Sequence, residues 1–293
     1  MKQVVVLSGK GGTGKTSFTA AMVRLAGRCV AVDADVDAAN LALLLPGEDG
    51  EWRTFMAGRR AVIARDSCTA CLACLDNCPY HAVKLSRSMA PEVVELACEG
   101  CGVCSLVCPV GAIHFVGHKA GAWTVRRTAF GPLVHAELGV GEDNSGKLVA
   151  ELRNEATRLA SEERIELVIV DGPPGIGCPV HAAVGRADLV VAVTEPGVAA
   201  AHDLLRLLDL ARHFHIPAAV VLNKADLDAR ASRELEALSA DRGAPVLASI
   251  PFLPDVPKAL AQGQGLLDVP LLRPVLEAAW DAIERFLRQP KAA

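Results

Sequence analysis

The sequence predicts an α/β fold with a mostly parallel sheet, interrupted by an α+β insertion rich in cysteine. Short apolar runs alternate with segments of helical spacing in both terminal parts of the chain. Aromatic residues make up only 4% of a chain that is 51% hydrophobic. The core therefore consists mainly of aliphatic side chains, as in a sheet buried on both faces. Eight of the ten cysteines fall between Cys68 and Cys108.

The first forty residues show the order strand, glycine loop, helix, strand. Val4–Leu7 is a short apolar run that ends at a glycine-rich loop. Lys15–Leu25 follows with apolar residues at helical spacing, and Cys29–Asp33 is a second strand. A βαβ unit of this kind places its two strands parallel to each other.

Apolar runs in the second half predict further strands of the same sheet. They are Leu167–Asp171, Leu189–Val193, Ala218–Leu222 and Val246–Ala248, with a helix from Val198 to Phe214. Both flanks of the cysteine segment thus read as parts of one α/β domain. We expect that domain at residues 1–58 and 119–293, and the insertion at 59–118.

Composition and charge narrow the class of protein. The formal net charge of −4 gives no electrostatic reason to expect nucleic acid or an anionic membrane as a partner. The apolar run Val4–Leu7 is too short for a signal peptide, and no stretch approaches the roughly 20 apolar residues of a membrane span. We expect a cytoplasmic protein, in which clustered cysteines serve metal or redox chemistry rather than disulfides.

The cysteines form two runs that match the bacterial ferredoxin pattern C-x2-C-x2-C-x3-C-P, each ending before a proline, Pro79 or Pro109. In this pattern the fourth cysteine of each run completes the cluster of the other run. The spacing therefore predicts two [4Fe–4S] clusters with these ligands: Cys68, Cys71, Cys74 and Cys108 for the first, and Cys78, Cys98, Cys101 and Cys104 for the second. Structural zinc and unliganded thiols are the alternatives, although zinc sites favour two separated pairs of ligands.

A phosphate-binding loop is predicted between the first strand and the first helix. Residues 9–16 match G-x-x-x-x-G-K-[ST] in the context that this motif requires. The candidate nucleotide-binding residues are Gly9, Lys10, Gly11, Gly12, Thr13, Gly14, Lys15, Thr16 and Ser17. We expect Lys15 to reach the β- and γ-phosphates and Thr16 to ligate Mg²⁺. A glycine-rich loop that binds no nucleotide is the alternative.

Lys10 makes this loop resemble the deviant P-loop of the MinD, ParA and Mrp family of ATPases. In that family the second lysine reaches across a nucleotide-bridged dimer to the phosphates of the partner. The resemblance implies this catalytic role for Lys10, together with ATP and Mg²⁺ as ligands. It also implies a homodimer, or a heterodimer with a similar ATPase, and slow hydrolysis without a partner.

Two acidic segments extend the resemblance. Asp35 matches the carboxylate that positions or activates the attacking water, and Asp33 matches an acid near Mg²⁺. Asp171 ends an apolar strand before Gly-Pro-Pro-Gly and matches the acid that holds Mg²⁺ through water. An acid at a strand end can instead cap a helix or form a turn.

The tetrapeptide Asn223-Lys224-Ala225-Asp226 leaves the base open. It resembles the N-K-x-D loop with which GTPases read guanine, whereas in the MinD-like family an asparagine at this place contacts adenine. The two-lysine loop favours ATP, with Asn223 as a nucleotide contact. An ordinary turn is the alternative.

Taken over nearly the whole chain, the pattern resembles MinD-superfamily P-loop ATPases that contain an inserted ferredoxin domain. Three functions are compatible with it. The first is ATP-gated electron transfer to a redox partner. The second is ATP-dependent assembly or delivery of iron–sulfur or other metal cofactors, as in Mrp-like relatives. The third is positioning, as in MinD or ParA.

Four further features are interpreted as structural. Cys178 follows the Asp171 segment, and packing as a small hydrophobe is favoured over contact with a partner's cluster or sensing of nucleotide. Cys29 is expected in the core, and the histidines near the cysteines, His81, His114 and His118, show no pairing as metal ligands and are treated as ordinary. The C-terminal residues 272–287 form an amphipathic helix whose mixed charges favour packing on the sheet over membrane binding.

Overall fold

The protein is represented by a computed structural model that describes residues 1–143 and 146–289. The chain forms two compact units. The first comprises Met1–Arg53, Trp123–Glu137 and the described residues from Asp143 onward, and the second comprises Thr54–Ala122 and Leu138–Glu142. The second unit thus extends a few residues beyond the insertion expected at 59–118 and includes a short segment that follows it.

The secondary structure alternates strands and helices through the first unit. The strands are β1 (Lys2–Ser8), β2 (Val30–Asp33), β3 (Gly47–Asp49), β4 (Arg53–Ile63), β5 (Val83–Leu85), β6 (Pro91–Val93), β7 (Ile113–Thr128), β8 (Gly131–Leu138), β9 (Leu167–Pro174), β10 (Leu189–Thr194), β11 (Ala218–Asn223) and β12 (Val246–Ile250). The helices are α1 (Lys15–Ala26), α2 (Leu41–Leu44), α3 (Ala73–Asp76), α4 (Val103–Leu106), α5 (Gly146–Glu162), α6 (Cys178–Val184), α7 (Ala200–His213), α8 (Ala229–Asp241), α9 (Asp255–Ala261) and α10 (Arg273–Arg288).

The main sheet has the strand order β12-β11-β10-β1-β9-β2-β8-β7-β3. From β12 to β8 every neighbouring pair is parallel, and the edge strand β3 pairs antiparallel with β7. This confirms the predicted α/β class with a mostly parallel sheet. The carboxyl ends of β1, β2, β9, β10 and β11 lie at one edge of the sheet, which is where open α/β folds bind their ligands.

The core of the first unit is aliphatic, as the composition predicts. The side chains of β1, β9, β10 and β11 are almost entirely buried, because helices cover both faces of a parallel sheet. In α10, Leu276, Ala279, Trp280 and Ile283 join this core, which confirms the predicted packing face. No helix in the described residues is long and apolar enough to cross a membrane.

The second unit is small and has little apolar bulk. Strand β4 pairs with β7, β5 and β6 form an antiparallel hairpin, and α3 and α4 are single turns of helix. Its core cluster joins Ala61, Ala82, Val83 and Ile113 with cysteines of both runs. Cysteine side chains therefore supply much of the interior of this unit.

Candidate nucleotide site and cysteine cavities

The loop between β1 and α1 has a backbone that only glycine allows at critical points. Gly14 has φ of +88°, and a Cβ there would lie 2.4 Å from Nδ2 of Asn223. The Asn223 amide donates a hydrogen bond of 2.7 Å to the carbonyl of Thr13. The end of β11 thereby fixes the loop directly before Lys15.

One polar atom of this loop is left without a partner. Oγ1 of Thr13 is buried and has no hydrogen-bond partner among the described residues. Buried polar groups are nearly always paired. A phosphate oxygen received by the loop would supply the missing partner, so this atom fits the predicted anion site.

Lys15 lies among the predicted acidic residues. Its ammonium is 3.0 Å from Oδ1 of Asp171 and 3.2 Å from Oδ2 of Asp35. Burial by itself would lower the pKa of Lys15, but the attraction of Asp171 and Asp35 outweighs burial and raises it. The structure therefore brings three predicted residues from α1, β9 and the segment after β2 into contact.

Asp171, in β9, accepts hydrogen bonds from two hydroxyl groups of α1. Thr16 donates to its Oδ2 at 2.6 Å, and Thr19 donates to its Oδ1 at 2.9 Å. Thr16 and Asp171 are the predicted Mg²⁺ residues, and they are adjacent. Thr19 was not predicted, although its place one helical turn after Lys15 could have indicated it.

Asp33 is fully buried at the end of β2. Its two carboxylate oxygens accept the backbone N–H groups of Asp35, at 3.3 Å, and Leu41, at 2.9 Å. Burial and the neighbouring charge of Asp171 raise the pKa of Asp33 to about 8. Asp33 thus holds the backbone of the segment that carries Asp35.

A cavity of about 500 Å³ adjoins the loop. One side is formed by residues 11–17 with Asp35 and Asn223, and the other side is largely apolar and includes Phe252, Leu253 and Leu260. A polar floor at the phosphate loop and an apolar wall beyond it suit a nucleotide with its phosphates at the floor.

Asp226 of the tetrapeptide forms a hydrogen bond within the chain. Its Oδ1 accepts the backbone N–H of Phe252 at 2.6 Å, so the carboxylate holds the loop after β12. Lys224, which has φ of +53°, turns its ammonium to the carbonyl of Gly12 at 3.4 Å.

The Lys10 side chain forms an ion pair within its own chain. Its ammonium lies 2.9 Å from Oε1 of Glu195, the residue that follows β10. Oε2 of Glu195 lies 2.6 Å from the ammonium of Lys224. Neither contact is predicted from the sequence, because these residues are distant in sequence and no motif joins them.

The eight cysteines of the second unit line two cavities. One is lined by Cys68, Cys71, Cys74 and Cys108, and the other by Cys78, Cys98, Cys101 and Cys104. Each cavity takes three cysteines from one run and the fourth from the other. No group of three His, Cys, Asp or Glu side chains in the described ranges is placed to hold a single metal ion. A cubane takes one thiolate on each iron, so its ligands surround a volume rather than one atom.

The two runs also share one backbone conformation. The positions two, four and thirteen residues after the first cysteine of each run all have positive φ: Ala70, Leu72 and His81 in the first run, and Gly100, Gly102 and Gly111 in the second. The helical turns α3 and α4 occupy equivalent places. The sequence repeat is therefore a structural repeat.

Backbone N–H groups point at several of the cysteine sulfurs. Ala70 donates to Cys68, Ala82 to Cys78, Ala112 to Cys108 and Ala61 to Cys98, at distances of 3.3 to 3.5 Å. Each cavity receives two such donors. Donors of this kind stabilise thiolate sulfur, which is the form that binds metal.

One expectation on a single residue is wrong, and another is confirmed. Cys178 is exposed at the start of α6, so it does not pack as a small hydrophobe. His118 takes part in a local network, in which its Nε2 lies 2.7 Å from Glu142, whose carboxylate also binds Arg60. Arg60 in turn donates to the carbonyl of Cys98. Cys29 is buried in the core as expected.

Comparison with known proteins identifies relatives of most of the chain and of a short segment of it. The family described as CobQ/CobB/MinD/ParA nucleotide binding domain matches residues 4–267. An uncharacterized protein of Methanocaldococcus jannaschii is 32% identical over 262 residues, which cover 88% of this chain and 87% of that protein.

Two further similarities concern the fold and a short segment. The cell division ATPase MinD of Pyrococcus furiosus has a similar structure, with a TM-score of 0.56 at 18% identity over 97% of this chain and 98% of that one. A ferredoxin of Pyrobaculum islandicum is 39% identical over 54 residues, which cover 18% of this chain and 50% of the ferredoxin.

Proposed function

Since this chain belongs to the CobQ/CobB/MinD/ParA family and is a P-loop ATPase, we propose that it couples nucleotide-driven dimer closure to electron transfer through two [4Fe–4S] clusters. One observation carries the proposal. The eight cysteines line two cavities, and each cavity combines three cysteines of one run with the fourth of the other. Such complete ligand sets are those of electron-transfer ferredoxins.

The cysteines fit the clusters in number, chemistry and surroundings. Four thiols line each cavity, and two of the four sulfurs already accept backbone N–H groups. Pro79 and Pro109 fix the backbone after the fourth cysteine of each run. When bound, a [4Fe–4S] cluster supplies a one-electron donor and acceptor. The similarity to a ferredoxin over 54 residues supports this assignment.

The residues of the first unit fit Mg-ATP. Lys15 exchanges its contacts with Asp171 and Asp35 for the β- and γ-phosphates, because phosphate carries more negative charge than a carboxylate. Thr16 and Asp171 would then hold Mg²⁺, Asp171 through water, while the buried Asp33 stays bonded to the backbone N–H groups of Asp35 and Leu41 close by. Asp35, no longer paired with Lys15, orients the attacking water.

Lys10 completes the site of a second copy or of a similar ATPase. A cation that enters from a partner stabilises the charge that develops during phosphoryl transfer, and hydrolysis is slow without it. In this proposal ATP closes the dimer, and closure changes the surroundings of the clusters. A redox protein is the expected partner.

The base is proposed to be adenine. In the guanine-reading loops of GTPases, the aspartate of N-K-x-D accepts hydrogen bonds from the base. Here the Oδ1 atom of Asp226 accepts the backbone N–H of Phe252, so this residue serves the fold of the cavity wall. Asn223 instead lines the cavity and donates to the carbonyl of Thr13 in the loop, so it is available to a base bound there.

We expect Asp226→Asn to change the ratio of ATP to GTP affinity by less than about threefold, because asparagine still accepts the Phe252 N–H group. Loss of a charged hydrogen bond to guanine would instead change that ratio by about tenfold or more. Calorimetric titration with both nucleotides measures the ratio. Asn223→Ala is the comparison, since it frees the loop at Thr13 and is expected to weaken binding of both nucleotides.

The proposed function is tested by stopped-flow spectroscopy under anaerobic conditions. Protein with reduced clusters is mixed with an artificial one-electron acceptor in the presence and absence of Mg-ATP. We expect ATP to change the rate of cluster oxidation, and the same experiment with a Lys15→Ala variant to show no ATP effect. Identical rates with and without ATP in the unaltered protein would rule out nucleotide gating.

A second candidate function is an ATP-dependent carrier of iron–sulfur or other metal cofactors. It is favoured by the exposure of Cys71, Cys101 and Cys178, since a carrier needs accessible thiols. Transfer of clusters to an apo-ferredoxin during ATP turnover distinguishes the two candidates. The electron-transfer proposal expects both clusters to stay with this chain.

A further inference from the structure

Glu195 connects two lysines at the mouth of the phosphate loop. Its Oε1 lies 2.9 Å from the ammonium of Lys10, and its Oε2 lies 2.6 Å from the ammonium of Lys224. The Lys224 ammonium also lies 3.4 Å from the carbonyl of Gly12 in the loop. The carboxylate therefore links the start of the loop, the end of β10 and the end of β11.

The two lysines differ in how firmly they are held. The Lys10 side chain is 46% exposed and the Lys224 side chain is 30% exposed, whereas Glu195 is only 16% exposed. Lys224 contacts both Glu195 and the loop carbonyl. Because Lys224 anchors the carboxylate, Lys10 is the partner that can leave without taking Glu195 with it.

We propose that Glu195 positions Lys10. It holds the Lys10 ammonium against its own chain before dimer closure, and releases it to the phosphates of a nucleotide bound by a second copy of this chain. This inference rests on the cross-dimer role of Lys10 in the proposed function. The inference adds Glu195 as the group that competes with the phosphates of the other copy for the Lys10 ammonium.

The competition follows from charge. In the proposed closure the Lys10 ammonium, 2.9 Å from Glu195 in the single chain, moves to a phosphate of the other copy and gives up its ion pair with Glu195. A triphosphate carries more negative charge than one carboxylate, so the ammonium transfers when ATP is present across the dimer. A diphosphate lacks the terminal group and attracts Lys10 less. The ion pair with Glu195 therefore disfavours closure of the dimer, and the stronger attraction of Lys10 to ATP outweighs it.

Glu195→Gln keeps the shape of the side chain and removes its charge. We expect this variant to tighten ATP-dependent dimerisation about two- to fivefold, which is within the range expected for loss of one partly exposed ion pair. The dimer dissociation constant is measured by analytical ultracentrifugation with a non-hydrolysable ATP analogue and Mg²⁺. Glu195→Asp retains the charge and is expected to restore most of the opposition.

A double-mutant cycle shows whether the effect passes through Lys10. In a Lys10→Ala background, Glu195→Gln is expected to leave the dissociation constant unchanged. Glu234→Gln is the matched control, because Glu234 also pairs with a basic residue, Arg230, on the exposed surface of α8. We expect no change from this control.

The outcomes separate this inference from the proposed function. If Lys10→Ala weakens the ATP-dependent dimer but Glu195→Gln does not tighten it, the positioning role of Glu195 is wrong and the cross-dimer role of Lys10 stands. An equal effect of Glu195→Gln with and without Lys10 also overturns the inference. If Lys10→Ala leaves the dimer and its hydrolysis rate unchanged, the proposed function of Lys10 itself fails.

Discussion

A Cys78→Ala/Cys98→Ala variant is expected to keep one [4Fe–4S] cluster, whereas Cys98→Ala/Cys108→Ala is expected to keep none. The two variants lose the same number of cysteines. In the first, both lost ligands line the same cavity, and in the second they line different cavities. Because a cubane needs four thiolates, each lost ligand removes the cluster of its own cavity.

The clusters are counted by electron paramagnetic resonance of the dithionite-reduced proteins prepared anaerobically. The single variants Cys78→Ala and Cys98→Ala should each keep the same one cluster as their combination. If each run instead supplied all four ligands of its own cluster, the pattern would reverse. Cys98→Ala/Cys108→Ala would then keep one cluster, and Cys78→Ala/Cys98→Ala would keep none.

We expect Lys15→Ala to impair nucleotide binding and Lys10→Ala to impair hydrolysis. Lys15 lies inside the nucleotide cavity among Asp35 and Asp171, so its loss should abolish tight binding of Mg-ATP. Lys10 points to Glu195 in its own chain, so its loss should leave binding within about threefold and lower turnover by at least about 100-fold. The large effect reflects a cation that acts only when the dimer is closed.

Binding is measured by calorimetry, and turnover by phosphate release at saturating ATP. Lys119→Ala, which changes an exposed lysine of the second unit, is the control and should alter neither quantity. Equal loss of binding and turnover in Lys10→Ala would contradict a role confined to the closed dimer.

Local signals were sufficient for the elements that build the nucleotide site. The short apolar run, the glycines and the helical spacing after Lys15 predicted β1, the loop and α1 within a few residues. Strands β9 to β12 were predicted in the same way, because buried parallel strands are continuous aliphatic runs. These signals lie within one element and its immediate neighbours.

The long strands β4 and β7 were not predicted. Each mixes apolar residues with several basic residues, and β4 contains Arg59 and Arg60 in sequence. An irregular pattern of burial leaves neither the alternation of a half-buried strand nor the aliphatic run of a buried one. Their pairing with other strands defines them, and that pairing is not visible in a local window.

The contacts that surround the loop also lie beyond local sequence. Glu195 meets Lys10 across 185 positions of the chain, and Asp226 meets the backbone of Phe252 across 26. Both contacts depend on the strand order, which brings β10 and β11 beside β1. Sequence patterns indicated which residues could do chemistry, and the topology determined which partners they have.

In the proposed function, nucleotide state and cluster state influence each other within one chain. The most direct measurement is a redox titration of the clusters, followed by electron paramagnetic resonance, with and without a non-hydrolysable Mg-ATP analogue. Coupling free energies of about 1 to 3 kcal/mol are typical between linked sites. For one electron they correspond to shifts of roughly 40 to 130 mV. This coupling predicts a shift in this range in the unaltered protein and none in Lys15→Ala. Identical midpoint potentials with and without nucleotide, in protein shown to bind the analogue, would contradict it.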